Sequence, residues 1–189
     1  MAAEALIVPI SRALVPGAEM SLRRSQDDLQ SGDSIVVILR GDEPPRTVGT
    51  LARVVGVRPL ESGDTMVRLR GEHLVRVPPE AAAGGEKRAL VTAVDEARSA
   101  DAVVGVVQQA LSRYMAARAE SGVGGNVYPH LSKDPVAASH EVASHLQISW
   151  PELQEVLEAG DAVERLRKGL AIMERETELL RRLLASEGS

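Results

Sequence analysis

One stripe of apolar side chains near the C-terminus constrains this chain most. Between Asp161 and Leu184, the residues Val163, Leu166, Leu170, Met173, Leu180 and Leu184 recur at steps of three and four, with Thr177 filling the one gap. That is an a/d seam of about three heptads, the pattern that keeps one face of a helix against a partner. Ile172, Leu179 and Leu183 widen the stripe, which predicts burial against a body and not only against one other helix. The remaining positions are mostly charged, and Glu178 with Arg182 makes a favourable i,i+4 pair. The predicted helix is roughly 36 Å long at about 1.5 Å per residue.

The first half of the chain has a different period. Ala5 to Ile10 is a short apolar run, Pro16-Gly17 is a turn signal, and Glu19 to Arg23 alternates polar with apolar. Ser25 to Leu29 suits one helical turn, with Ser25 as cap. Ile35 to Leu39 is a continuous, mostly β-branched run, which predicts a strand buried on both faces. Thr47 to Val57 and Thr65 to Val77 read as strands joined by a hairpin turn at Glu61-Ser62-Gly63-Asp64. Gly49 or Gly56 marks a bulge, and Gly71 is expected to break or bend its strand. Pro78 to Gly85 reads as a loop and Ala89 to Val94 as one more strand. The pattern predicts a compact antiparallel barrel or curled sheet.

The character changes near Ser99. Val103, Val106, Val107, Ala110, Leu111 and Tyr114 recur at helical spacing, and Ser121 to Gly125 ends that helix. Asp134-Pro135 opens a second helix through Leu146, and Ser149-Trp150-Pro151-Glu152 opens a third. Strands first and four helices after is an α+β order, with a β-rich part at 1–97 and a helical part at 98–189.

Composition excludes several classes. The 189 residues contain no Cys, so disulfides and thiolate metal sites are ruled out and a reducing, cytoplasmic setting is expected. No stretch approaches 18 apolar residues and no charged leader precedes an apolar run, which predicts neither a membrane span nor a signal peptide. A net charge of −5, no Phe, one Trp and two Tyr argue against nucleic acid as the partner.

The order of these motifs resembles the N-terminal domain of Lon proteases over roughly residues 5 to 184. The likeness is carried by Ile7-Val8-Pro9-Ile10 through Pro16-Gly17 to Met20-Ser21-Leu22, by Val48-Gly49-Thr50-Leu51-Ala52-Arg53, and by Gly71 followed by Leu74-Val75-Arg76-Val77. Asp134-Pro135, His145-Leu146, Leu153 to Glu158, Val163 to Leu166 and Glu176 to Leu180 continue it. The segment Ser25 to Ser31 is shorter than the helix usual there, and aliphatics stand in for the family's aromatic core positions. The resemblance implies a PUA-like barrel followed by a helical bundle ending in a long helix. It implies a non-catalytic domain that recognises unfolded or tagged polypeptides for ATP-dependent proteolysis. Protease ATPase domains, or a second copy met through the last helix, are the further partners it suggests. A free-standing interaction module and an RNA-binding barrel are the alternatives, and open-reading-frame length separates the first of these from a protease fragment.

Each candidate for chemistry has a plainer reading. His140 and His145 are five residues apart, about 140° round a helix, whereas a zinc pair needs i and i+4. Gly122 to Asn126 lacks the Gly-Lys-Ser/Thr of a phosphate loop and follows a helix. Ser132-Lys133 are neighbours in a loop, which sets up no catalytic geometry. Arg68, Arg70, Arg76 and His73 make a basic strand, read as a solvated sheet face. Tyr128, Trp150 and Met115 are expected in a core or, where exposed, as grips for unfolded chain. No catalytic, cofactor or metal residue is assigned, and no cofactor is expected.

Overall fold

The computed structural model describes residues 2–25, 29–41, 45–94, 101–124 and 129–187. Among these residues six strands form one sheet: β1 (Ala2–Ile10), β2 (Glu19–Arg24), β3 (Ser34–Leu39), β4 (Val48–Pro59), β5 (Thr65–Arg76) and β6 (Lys87–Ala93). Their order is β2-β5-β4-β3-β1-β6, and a further β5–β6 pairing closes the sheet on itself. A short helix, α1 (Pro79–Ala82), occupies the segment expected to be a loop.

The sheet is not wholly antiparallel, as the sequence pattern suggested. β1 and β3 run parallel, with Leu6 opposite Ile35 and Ile10 opposite Leu39. Alternation explains why these two strands are apolar on both faces. Ala5, Ile7, Val36 and Ile38 point into one cluster with Val75, Val77 and Val91. Val8, Ile35 and Val37 point into another with Val54, Val67 and Leu69.

Gly71 does not interrupt β5. The strand runs through it, and the register shifts so that Leu51 faces His73 while Ala52 faces Gly71, which leaves Glu72 as the extra residue of a bulge. A second shift between Val54 and Gly56 agrees with the expected bulge at Gly56. Gly71 is needed for space. A Cβ there would lie 2.6 Å from the Val15 carbonyl oxygen. The approaching chain is the Pro16-Gly17 turn, where Gly17 adopts φ +86° as the third residue of a type II turn requires. Gly17 N donates to the Gly71 carbonyl and Gly71 N to the Ala18 carbonyl, both at 2.9 Å.

The chain forms two compact units. One comprises Met1–Asp95 with Ile148–Glu158; the other comprises Glu96–Gln147 with Ala159–Ser189. The segment 148–158, placed with the helices on chain order, therefore groups with the sheet. It carries α4 (Trp150–Leu157), capped by Ser149. Its buried Gln154 donates from Nε2 to the Val48 carbonyl at 2.8 Å. Arg46 donates to Glu158 at 2.9 Å. These two bonds tie α4 to the start of β4, and nothing in helical periodicity announces them.

The second unit holds α2 (Asp101–Glu120), α3 (Pro135–His145) and α5 (Ala162–Glu187). Asp134 caps α3 by accepting from Val136 N at 3.0 Å, as the Asp-Pro pair predicts. Val107, Leu111, Tyr114, Ala138, Val142, Leu166 and Met173 are buried there. Of the heptad seam, Leu166, Met173 and Thr177 are buried, and Val163, Leu170, Leu180 and Leu184 are half-buried. The widened stripe is only partly used: Ile172 is buried, but Leu179 is 47% and Leu183 60% exposed. The reason is the length of α3. Arg165 Nε lies 3.1 Å from Ser139 Oγ, and a Cβ on Gly169 would touch Val142. The two helices thus run in the same sense, and α3 ends before Leu179 is reached.

Candidate functional site

On the sheet unit, a groove of about 460 Å³ lies between β1 and β2. Val8, Pro9 and Ile10 line one side, and Leu22, Arg23, Arg24 and Ser25 the other. The Arg24 guanidinium donates to both carboxylate oxygens of Glu86, at 2.8 and 2.6 Å, so the β2 end is tied to the residue before β6. Among the described residues β2 pairs only with β5, from Glu19 opposite Arg70 to Arg24 opposite Thr65. Its end, Leu22 to Arg24, lines this groove.

The basic strand is solvated, as expected, but carboxylates interleave with it. Arg68, Arg70, Arg76 and His73 are exposed on β5. Arg70 faces Glu19 across β2 and Arg53 across β4. Arg53 donates to Glu72 at 2.7 Å and Arg23 to Asp64 at 2.5 Å. A face alternating in sign lacks the single-sign field that attracts a phosphate backbone.

Trp150 opens α4 and stands 43% exposed, while Leu90 on β6 is 65% exposed. Among the described residues of the helical unit, Val106, Val123, Leu179 and Leu183 are the large apolar side chains left in solvent. Met115 is buried in α2, a core residue and not a grip. Tyr128 lies outside the described residues.

The histidines sit on different faces of α3. His140 is only 9% exposed, and burial first, then the Arg165 charge, push its pKa down to about 4 against a small upward pull from Asp134. It is neutral at pH 7. His145 is half-buried and likewise held below its ordinary value, chiefly by burial. Among the described residues no group of three or more His, Asp or Glu comes together as a metal site. Ser132 Oγ accepts from Asp134 N at 3.1 Å, and Ser132 N donates to Glu141 at 2.7 Å. This serine therefore shapes the turn before α3, with Lys133 exposed beside it. Gly122, at φ +73°, terminates α2: Val123 N reaches back to the Arg118 carbonyl and Gly122 N to the Ala119 carbonyl. Gly125 and Asn126 lie outside the described residues.

The feature that sequence reasoning missed is Arg165. It is fully buried, with Nε donating to Ser139 Oγ at 3.1 Å and Nη1 to the Ala159 carbonyl at 3.5 Å. Its place next to the seam residue Leu166 was the available signal. No helix is long and apolar enough to cross a membrane among the described residues.

Comparison with known proteins agrees with this architecture. The chain is similar to the N-terminal domain of Mycobacterium avium complex Lon protease, with a TM-score of 0.66 and 17% identity over 91% of this chain and 98% of that one. It is also similar to the Lon N-terminal domain protein from Xanthomonas campestris, with a TM-score of 0.60 and 19% identity over 89% and 98%. A Lon protease of Azorhizobium caulinodans is 29% identical over 195 residues, covering 92% of this chain. The chain spans 22% of that relative's length. Residues 10–175 match the ATP-dependent protease La (LON) substrate-binding domain, and the chain belongs to that family.

Proposed function

We propose that this domain captures segments of unfolded or tagged polypeptide for an ATP-dependent protease of the Lon type and performs no bond cleavage itself. The observation that carries the reading is the family match over residues 10–175. The surface is consistent with it. Large apolar side chains stand singly in solvent on each unit, Trp150 and Leu90 on one, Leu179 and Leu183 on the other. Such side chains offer several small contacts of about 25 cal/mol per Å² in place of one deep site. The reading also places the domain in the cytoplasm, beside the ATPase and protease parts of a longer chain.

The test is fluorescence anisotropy of labelled, reduced and carboxymethylated lysozyme titrated with this chain, against native lysozyme as control. The expected result is saturable binding of the unfolded form alone, weakened by Trp150→Ala and by Leu183→Glu. Equal binding of both forms, or of neither, refutes the proposal.

A further inference from the structure

We propose that the outer edge of β2 is a docking site for an extended polypeptide segment, which adds to the sheet as a further strand in the groove beside β1. The inference rests on the proposed function and names the form in which the polypeptide is held.

The sheet closes through β5 and β6, and that closure leaves β2 outside the ring with one partner. An edge strand directs half of its main-chain N–H and C=O groups away from its neighbour, and another strand is their natural complement. The register says which half. Gly71 N donates to the Ala18 carbonyl, so bonded pairs continue at Met20–Leu69, Leu22–Val67 and Arg24–Thr65. Glu19, Ser21 and Arg23 are left pointing outward, and no other backbone bond to them is found among the described residues.

Part of the space for a strand is open: the groove of about 460 Å³ lies along the end of this edge, at Leu22 to Ser25. Its other wall is β1 beyond the last β6 partner, Ile7 opposite Lys87. That wall offers little pairing of its own, because Pro9 has no N–H. The edge able to take a strand is therefore β2, which contains no proline. Ile10 and Leu22, both half-buried, give the groove apolar contacts for side chains, and Arg23 and Arg24 with Glu86 give it charges of both signs. Recognition through main-chain bonds tolerates many sequences, which suits a domain that must accept unlike chains.

The experiment is amide hydrogen exchange on the whole chain, with and without saturating reduced, carboxymethylated lysozyme, together with the Ser21→Pro variant. Ser21 is exposed and its N–H points outward, so proline there removes a docking donor and spares the β5 ladder. The expected result is at least tenfold slower exchange at the Glu19, Ser21 and Arg23 amides in the complex. Affinity should fall at least tenfold in Ser21→Pro with its melting temperature kept. If Ser21→Pro does not fold, exchange in the unaltered chain decides alone. Binding without protection of these amides overturns the edge site and leaves the proposed function standing. Absence of any binding overturns both. Protection that rises with protein concentration and needs no lysozyme overturns the proposal in favour of a second copy of this chain.

Discussion

Gly71→Ala tests whether the contact between β5 and the Pro16-Gly17 turn is as tight as the geometry requires. The added methyl would sit 2.6 Å from the Val15 carbonyl oxygen, 3.1 Å from Thr50 Cγ2 and 3.2 Å from Pro16 Cα. Two of these atoms are backbone, so no rotamer change relieves the clash. The turn must move outward, and the two 2.9 Å bonds to Gly71 lengthen together. Overpacking of this kind costs about 1–3 kcal/mol. Weakening two main-chain bonds adds about 1 kcal/mol. The expected loss is therefore about 2–4 kcal/mol, or roughly 10–20 °C in melting temperature for a unit of this size. Trp150 is the one tryptophan and belongs to α4 of the sheet unit, so urea unfolding followed by its fluorescence reads the right unit. Gly85→Ala is the control, because a Cβ there meets nothing within 4 Å. Should Gly71→Ala and Gly85→Ala unfold at midpoints within about 0.5 kcal/mol of each other, the steric reasoning fails.

His140 gives a pH signature. Its folded pKa of about 4 lies below the ordinary 6.5, so the unfolded chain binds the extra proton first. Stability should hold above pH 6.5 and fall between there and pH 4 by about 3 kcal/mol in all. His140→Gln should flatten that part of the curve, and identical slopes in both proteins would dismiss the assignment. Arg165→Ala should cost about 3–5 kcal/mol in thermal melts, and Arg165→Met distinctly less, because methionine refills the volume without a buried charge. Gly105 lies within α2 with nothing near its missing Cβ, so Gly105→Ala should stabilise the helical unit by about 1 kcal/mol in denaturant titrations. Gln154→Ala removes the side-chain donor to the buried Val48 carbonyl and should lower sheet-unit stability by about 1–3 kcal/mol in the Trp150 assay.

The strands were legible because their signal is local. Ile35 to Leu39 had to be buried on both faces, and all five residues are at most 6% exposed. The hairpin at Glu61 to Asp64 and the cap at Asp134 followed from turn and capping chemistry, and both are present. What failed to show was set by partners distant in sequence. The parallel β1–β3 pair depends on which strand lies next to which, and alternation is silent on that. The grouping of α4 with the sheet depends on bonds spanning about a hundred residues, from Gln154 to Val48 and from Glu158 to Arg46. The exposure of Leu179 and Leu183 depends on where α3 stops. The groove beside β2 had no sequence motif at all, because its pairing groups belong to the backbone, which every residue shares.

That last point bears on how such a surface works. Leu179 and Leu183, at 47% and 60% exposed, together amount to about one fully exposed leucine. Covering them yields roughly 2–3 kcal/mol, short of the 4 kcal/mol or so that a millimolar complex needs. A strand laid on β2 adds a few main-chain bonds of about 1 kcal/mol each and loses part of that to ordering the incoming chain. No single patch on either unit therefore holds a polypeptide tightly. Under the proposed function, useful affinity comes only when one polypeptide meets several patches, since each further contact is then intramolecular. An unfolded chain reaches many patches and leaves one strand free for an edge. A folded protein, with its apolar residues inside and its strand edges paired or guarded, satisfies neither condition. Discrimination between the two then follows from the weakness of each contact and requires no pocket shaped to a particular sequence.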